Sequence, residues 1–123
     1  MRTREQDYAA KIYQQVSRVP GRDGKKYGAM AHKLPILIRT AGLAQALAFV
    51  EARGEAQHQQ LLKDMAEVME EGTREALLER SRTAGLGEYM RLTQKAMAAL
   101  LWYKRFAQSV LGVEAGEEEG EPT

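Results

Sequence analysis

Cysteine is absent from this chain of 123 residues, so disulfide bonds and thiolate metal sites are excluded. Long hydrophobic runs are absent too. The longest, residues 96–103, has eight residues, whereas a membrane-spanning helix needs about 20. The first residues, MRTREQDY, lack the apolar stretch of a secretory signal. We therefore expect a cytoplasmic protein that does not contact the membrane.

Residues suited to catalysis are scarce. Glu55 and His58 have the Glu-x-x-His spacing of di-iron helical bundles, but those bundles need this pair twice and two further glutamates. The other histidine, His32, falls on a different predicted helix. No serine lies in a glycine-rich nucleophile elbow, and no glycines match a phosphate-binding or dinucleotide-binding loop. We therefore expect no catalytic residue, no metal site and no cofactor.

Four carboxylates are grouped near the middle of the sequence, at Asp64, Glu67, Glu70 and Glu71. Their spacing of three, six and seven residues places them along one side of a predicted helix. A solvated acidic face is the simplest interpretation of such a row. We therefore expect all four side chains to be exposed to water.

Apolar residues recur with helical periodicity along most of the chain, and no segment has the alternation typical of a strand. Thr3 and Gln6 match a capping box, which predicts a first helix that ends before Pro20. A second helix is expected from about Lys25, with a kink or restart at Pro35. Further helices are predicted over 43–54, 55–70, 73–82 and 85–111. The sequence thus predicts an all-α, compact single-domain bundle of five to seven helices with a long C-terminal helix.

Two further features of the bundle can be predicted. The last helix is apolar over most of its circumference, so we expect it to be the central one. The folded domain should comprise residues 1–112. Residues 113–123 contain five glutamates and no basic residue, so we expect an acidic disordered tail that is dispensable for folding.

Charge is distributed unevenly. Residues 1–40 contain nine lysines and arginines against three acidic residues. On a helical wheel, four of these nine basic residues fall within one arc of about 100°, with Ala29 between them: Arg22, Lys25, Lys26 and Lys33. Such an arc is suited to polyanion binding, although a solvated polar face would look the same. Ile36 falls on this side, so either Pro35 changes the helical phase or Ile36 contacts a partner.

The segment KKYGAMAHKLPILIRTAGLAQALAF, residues 25–49, resembles the small-subunit family of type III-B CRISPR (Cmr) systems. The resemblance rests on an ordered set of short elements: basic residues before Tyr27-Gly28, then Lys33-Leu34-Pro35, Ile38-Arg39, Gly42-Leu43 and the stretch 45–49. The short helix before this segment and the long helix after it also match. Residues 113–123 are no part of the resemblance.

The resemblance implies a non-catalytic helical subunit of an RNA-guided antiviral effector. Such subunits stack on copies of themselves, contact other subunits of the Cmr complex and line the path of the guide and target RNA. From this implication and the basic arc together, we expect five side chains to contact the RNA backbone: Arg22, Lys25, Lys26, Lys33 and Arg39. Two alternatives remain open, a stand-alone helical nucleic-acid-binding or adaptor protein and a metalloenzyme built on Glu55 and His58.

Overall fold

The structure, a computed structural model, describes residues 1–116. This part of the chain forms six α-helices and no β-strand: α1 Arg4–Ser17, α2 Gly24–Ala41, α3 Leu43–Arg53, α4 Ala56–Val68, α5 Arg74–Thr83 and α6 Leu86–Ser109. A 3-10 helix, Gly21–Asp23, leads directly into α2. The predicted all-α class, the number of helices and the long last helix are confirmed. None of the helices described is both long and apolar enough to cross a bilayer.

The helix ends follow local capping chemistry. The Thr3 hydroxyl accepts a hydrogen bond from the Gln6 backbone at 3.1 Å, and the Gln6 side chain accepts one from the Thr3 backbone at 2.9 Å. This reciprocal pair is the predicted capping box. Thr73 caps α5 in the same manner, with a bond of 3.0 Å from the Ala76 backbone. Gly54 ends α3 with a φ of 68°, a left-handed conformation that favours glycine.

Among the six helices, α2 has the largest buried share, and the expectation that α6 would be the central helix is not met in its burial. Ten of the 18 residues of α2 are buried, against six of the 24 in α6. Helix α6 instead exposes large apolar residues, among them Met90 and Leu101. Helix α2 lies against α3, α4 and α6 together. The exposed residues of α2 are Lys25 near its start and Ile36, Arg39, Thr40 and Ala41 towards its end.

Pro35 does not interrupt α2, which runs unbroken from Gly24 to Ala41. The predicted restart is therefore wrong. Proline removes one backbone donor and crowds the preceding turn, but Pro35 is buried in the packed part of the helix, where tertiary contacts can offset that cost. The helical phase is kept, and Ile36 consequently remains 55% exposed.

Helix α2 lies along α6 and is closely approached by the residues that follow α6. The two helices run antiparallel, since Gly24 faces Leu111 while Gly42 faces Tyr89. A Cβ atom at Gly28 would come within 2.9 Å of the Val113 Cβ atom. This distance is shorter than side chains tolerate, so only glycine at position 28 allows Val113 to pack this close to α2.

Val113 is fixed to the fold by two hydrogen bonds as well as by packing. Its N–H group donates to the Ala107 carbonyl at 2.9 Å. The Nε2–H group of His32 donates to the Val113 carbonyl, also at 2.9 Å. The side chain is 3% exposed. We call these contacts of Val113 with Gly28, His32 and Ala107 the C-terminal anchor.

The C-terminal anchor corrects the predicted domain boundary. The acidic tail was expected to begin at residue 113 without any role in folding, but Val113 is part of the core. Its burial contributes favourable transfer free energy that truncation after Gly112 would remove. The folded domain therefore includes Val113. Residues 117–123 lie outside the described part of the chain.

We predict that Gly28→Ala destabilises the protein by about 1–3 kcal/mol, the usual cost of overpacking a core, because Val113 must move away. Gly21→Ala serves as the control, since nothing lies within 4 Å of a Cβ atom at that position. It should change the free energy of unfolding by less than about 0.5 kcal/mol. Urea denaturation of both variants provides the measurement. Equal stability of the two variants would show that Val113 is not held against α2.

Candidate nucleic-acid interface

The five side chains expected to bind RNA lie on or next to α2, in different environments. Arg22 in the 3-10 helix, Lys25 in the first turn and Arg39 in the last turn are exposed. Lys33 is half-buried in the middle of the helix. Lys26 is half-buried and forms an ion pair with Glu55, with 2.8 Å between Nζ and Oε1. Lys26 is thus already engaged with a carboxylate of the same molecule.

The predicted basic arc is not one continuous surface. Ala29, in the middle of the arc, is buried, and so is His32 next to it. Arg39 follows Lys25 by 14 positions, which corresponds to about 21 Å along the helix axis. The geometry therefore gives a basic group at the start of α2 (Arg22, Lys25 and Lys26), Lys33 in the middle, and Arg39 at the far end.

The two residues of the Glu-x-x-His pair lie in different environments. Glu55 is bound to Lys26, and this hydrogen bond holds the pKa of the Glu55 carboxyl below its usual range. His58 is fully buried in α4. Among residues 1–116, no three histidine, cysteine or acidic side chains are grouped so as to hold a metal ion.

Asp64 is buried, so the expectation of a fully solvated acidic row is wrong. Its exposed fraction is only 8%. The Tyr27 hydroxyl donates to Asp64 Oδ2 at 2.7 Å, and Gln60 Nε2 donates to Oδ1 at 2.8 Å. Glu71 is also shielded, with its side chain 6% exposed and Lys95 3.4 Å away. Glu67 and Glu70 are exposed as predicted.

A chain of hydrogen bonds connects Asp64 with α1 and α6. Tyr103 of α6 donates its hydroxyl to Gln15 Oε1 of α1 at 2.5 Å. Gln15 Nε2 in turn donates to the Asp64 carbonyl and to Glu67 Oε1, both at 3.0 Å. With Tyr27 on α2, the network joins four helices through their side chains. We call it the Gln15–Asp64 network.

The Gln15–Asp64 network forms one wall of a cleft of about 450 Å³. The cleft is lined by residues of α1, the 3-10 helix, α2 and α4, including Arg18, Pro20 and Lys63. Burial raises the pKa of the Asp64 carboxyl, and the hydrogen bonds from Tyr27 and Gln60 oppose this change. Burial also raises the pKa of Tyr27, which therefore stays protonated and remains a donor. Within the cleft, Asp64 serves as an internal acceptor that joins α2 to α4.

One sequence signal could have located the buried carboxylate. Asp64 follows Leu61 by three residues and precedes Val68 by four, so it lies on the apolar stripe of its own helix. A charged residue within such a stripe needs a buried partner. Tyr27 on α2 is that partner, 37 residues away in sequence.

The fold and these residues can be compared with known proteins. The profile of the family described as "CRISPR-associated protein (Cas_Cmr5)" matches residues 4–110. The chain belongs to this Cmr5 family. The resemblance found in residues 25–49 is thereby confirmed.

Two relatives in the Cmr5 family extend the comparison. "CRISPR system Cmr subunit Cmr5" of Thermus thermophilus is 46% identical over 112 residues, which cover 90% of this chain and 98% of the relative. A crystal structure of a CRISPR-associated Cmr5 family protein from the same organism matches with a TM-score of 0.82 at 46% identity. That match covers 90% of this chain and 99% of the other. The family match ends at residue 110, before the C-terminal anchor.

We predict that Asp64→Asn alters the pH dependence of stability. A raised folded-state pKa means that the folded protein binds a proton more readily than the unfolded chain. Protonation of Asp64 therefore stabilises the wild type as the pH falls, and this contribution is lost as the pH rises through the folded pKa. Glu55 and Glu75 have lowered pKa values and act in the opposite direction, but they are present in both proteins.

The measurement is urea denaturation of both proteins between about pH 7 and pH 4, the upper limit lying well above the ordinary carboxyl pKa. The free energy of unfolding of the wild type should rise relative to that of Asp64→Asn as the pH is lowered. Parallel pH profiles would contradict a buried Asp64 carboxyl with a raised pKa.

Proposed function

We propose that this chain is a structural, non-catalytic subunit of a type III-B CRISPR Cmr effector complex in the cytoplasm. In that complex it contacts other Cmr subunits and copies of itself, and binds the backbone of the guide and target RNA. The observation that carries the proposal is the 46% identity with a named Cmr subunit over 98% of its length. The basic residues on and next to α2 support the proposal that the chain binds RNA.

The absence of a catalytic role is supported by how the ionisable side chains are used. Asp64 accepts hydrogen bonds from Tyr27 and Gln60, and Glu55 accepts one from Lys26. A general base or nucleophile has to reach a substrate with its reactive atom. These carboxylates instead hold the helices of the same molecule together.

RNA binding is supported by the exposure and charge of the side chains at the two ends of α2. Arg22, Lys25 and Arg39 are exposed, and the first 40 residues have a net charge of +6. Lysine and arginine side chains at such positions neutralise phosphates without reading sequence. Lys26 contributes less, because a phosphate would have to compete with Glu55.

Self-association along the effector is supported by exposed apolar side chains. Leu86 is 76% exposed, and Met90, one turn later, is 55% exposed. Ile36 is 55% exposed between Lys33 and Arg39 on α2. Single exposed apolar residues are ordinary, but a pair on adjacent turns provides a surface that a neighbouring subunit can cover.

The alternative of a stand-alone helical nucleic-acid-binding or adaptor protein is less favoured. A reading helix has to present one face to a nucleic-acid groove. Helix α2 carries four of the five side chains expected to bind RNA, but ten of its 18 residues are buried. Contacts at its ends suit a phosphate backbone better than base edges.

We predict that the triple variant Arg22→Ala, Lys25→Ala, Arg39→Ala weakens target-RNA binding by the reconstituted effector. Removal of each phosphate contact should lower the log–log salt slope by about 0.7 to 0.9. At about 0.15 M monovalent salt, this corresponds to roughly a four- to fivefold decrease in affinity for each contact removed. Filter binding over a series of salt concentrations gives both the affinity and the salt slope. Lys26 is not substituted, so its ion pair with Glu55 is left intact.

The matched control removes the same charge elsewhere, with Lys11→Ala, Arg82→Ala and Arg105→Ala, all exposed positions on α1, α5 and α6. The control should leave the salt slope unchanged. If the two variants behave alike, the RNA path does not follow α2.

A further inference from the structure

The geometry points to a nucleotide-binding site in the cleft beside the Gln15–Asp64 network. The site takes a nucleotide whose base carries an exocyclic amino group, as cytosine, adenine and guanine do and uracil does not. An RNA strand and a free mononucleotide both supply this chemistry. If the nucleotide belongs to RNA, the inference rests on the proposed RNA-binding function and adds a base contact to it.

The cleft has the size of a small-molecule site. Its volume of about 450 Å³ lies within the usual range of roughly 300 to 1,000 Å³. The buried lining residues Gln15, Tyr27 and Asp64 form its floor. Arg18 and Lys63 are exposed and lie at its mouth. A ligand inside the cleft therefore meets polar groups of the floor at one end and two basic side chains at the other.

The cleft offers hydrogen-bond acceptors that its own residues leave unused. Gln57 Nε2 donates to Asp23 Oδ1 at 2.9 Å. Gln15 Nε2 donates to Glu67 Oε1 at 3.0 Å. Among the described residues, no donor reaches the second oxygen of either carboxylate, Asp23 Oδ2 or Glu67 Oε2. Acidic side chains accept hydrogen bonds from the amino group of cytosine, whereas uracil presents an acceptor at the same position of its ring.

Two basic side chains at the mouth of the cleft are available for the phosphate. Arg18 follows the last residue of α1, and Lys63 lies on α4. Neither forms an ion pair with another described residue. This distinguishes them from Lys26, which is paired with Glu55. Arginine binds a phosphate through its planar fork and lysine binds it as a point charge. Arg18 and Lys63 can thus hold the phosphate while the base fills the cleft.

The distribution of charge favours a nucleotide over an acidic peptide. Both ligands bring an anion for Arg18 and Lys63. A carboxylate that enters the cleft, however, meets the acidic side chains of Asp23, Asp64 and Glu67, and like charges at short range repel one another. A base is neutral and brings amino donors to the same place. The cleft therefore matches a ligand that is anionic only at its outer end.

The position of the cleft connects it with the proposed RNA surface. Pro20 and Asp23 line the cleft, and Arg22 lies between them in the sequence. Arg22 is one of the exposed side chains proposed to bind the RNA backbone. Bases of single-stranded RNA can turn away from their neighbours and be bound by their edges. A strand that passes Arg22 can therefore place one base in the cleft.

The first experiment uses mononucleotides and the full-length protein, so its result does not depend on RNA binding. Isothermal titration calorimetry compares cytidine 5′-monophosphate, uridine 5′-monophosphate and inorganic phosphate. The cytidine nucleotide should bind at least about fivefold more tightly than the uridine nucleotide, which is the lower end of discrimination by one good base contact. Phosphate alone should bind more weakly than either. Equal affinities for the two nucleotides, or no binding of either, would overturn the inference.

Substitution of the two open carboxylates tests the base contact. In the double variant Asp23→Asn, Glu67→Gln, the hydrogen bonds from Gln57 and Gln15 hold the amide oxygens. The amide nitrogens then replace the two unused carboxylate oxygens. Because an amide nitrogen donates, the preference for the cytidine nucleotide should be lost or reversed. A variant that folds, as judged by circular dichroism, and keeps the wild-type preference shows that these carboxylates do not bind the base.

The matched control for this variant is Glu5→Gln with Glu79→Gln, which removes the same charge at exposed positions of α1 and α5. It should keep the preference for the cytidine nucleotide. A further pair, Arg18→Gln with Lys63→Gln, should lower the affinity for cytidine 5′-monophosphate about tenfold, because two charged hydrogen-bond donors are lost. The affinity for cytidine, which has no phosphate, should not change. A tetraglutamate peptide that competes as well as the cytidine nucleotide would assign the cleft to an acidic protein partner instead.

Oligonucleotides identify the source of the nucleotide. If RNA supplies it, a short oligocytidylate should bind more tightly than the mononucleotide. The triple variant Arg22→Ala, Lys25→Ala, Arg39→Ala should lose this gain and keep the preference for cytosine over uracil. If the oligonucleotide binds no better than the mononucleotide, the ligand is a free nucleotide.

The cleft and the proposed RNA surface fail in different ways. If the triple variant binds RNA as the wild type does while the wild type distinguishes the two mononucleotides, the RNA surface is wrong and the cleft stands. If the triple variant weakens RNA binding while the wild type binds both mononucleotides equally, the cleft is wrong and the RNA surface stands.

Discussion

Burial of α2 on most of its circumference is the constraint on which the rest of the structure depends. A helix in this position has to be apolar or very small wherever a neighbour lies close, which accounts for the glycines that face Leu111 and Val113. It also has to provide partners for each polar group it brings inside. Tyr27 meets this demand with Asp64, and His32 meets it at Nε2 with the Val113 carbonyl, whereas His32 Nδ1 is buried without a hydrogen-bond partner among the described residues. Basic side chains are left mainly at the two ends of the helix.

The Gln15–Asp64 network determines how four helices are positioned relative to one another. Hydrogen bonds from Tyr27, Gln15 and Tyr103 connect α4 with three different helices. A carboxylate in such a place costs free energy through desolvation, which is why its pKa is raised. An apolar contact would tolerate small shifts between helices. A set of directional bonds does not, so the network defines the relative positions of α1, α2, α4 and α6.

Local features could be predicted well from the sequence, whereas contacts between distant elements could not. Thr3, Thr73 and Gly54 act through backbone groups a few residues away, so their pattern alone predicts helix ends. How much of a helix is buried depends on how its neighbours pack against it. Periodicity does not count neighbours, and glycines such as Gly28 add nothing to an apolar stripe although they permit the closest packing. Five basic residues on or beside one helix were predicted, but the burial of Ala29 and His32 between them was not.

The position of the C-terminal anchor has a consequence for biosynthesis. Helix α2 is made early, yet its neighbours include α6 and Val113, which follow much later in the chain. The apolar surface of α2 consequently stays uncovered until these later residues have left the ribosome. A nascent chain of this protein would therefore depend on chaperones more than a bundle whose central helix is synthesised last.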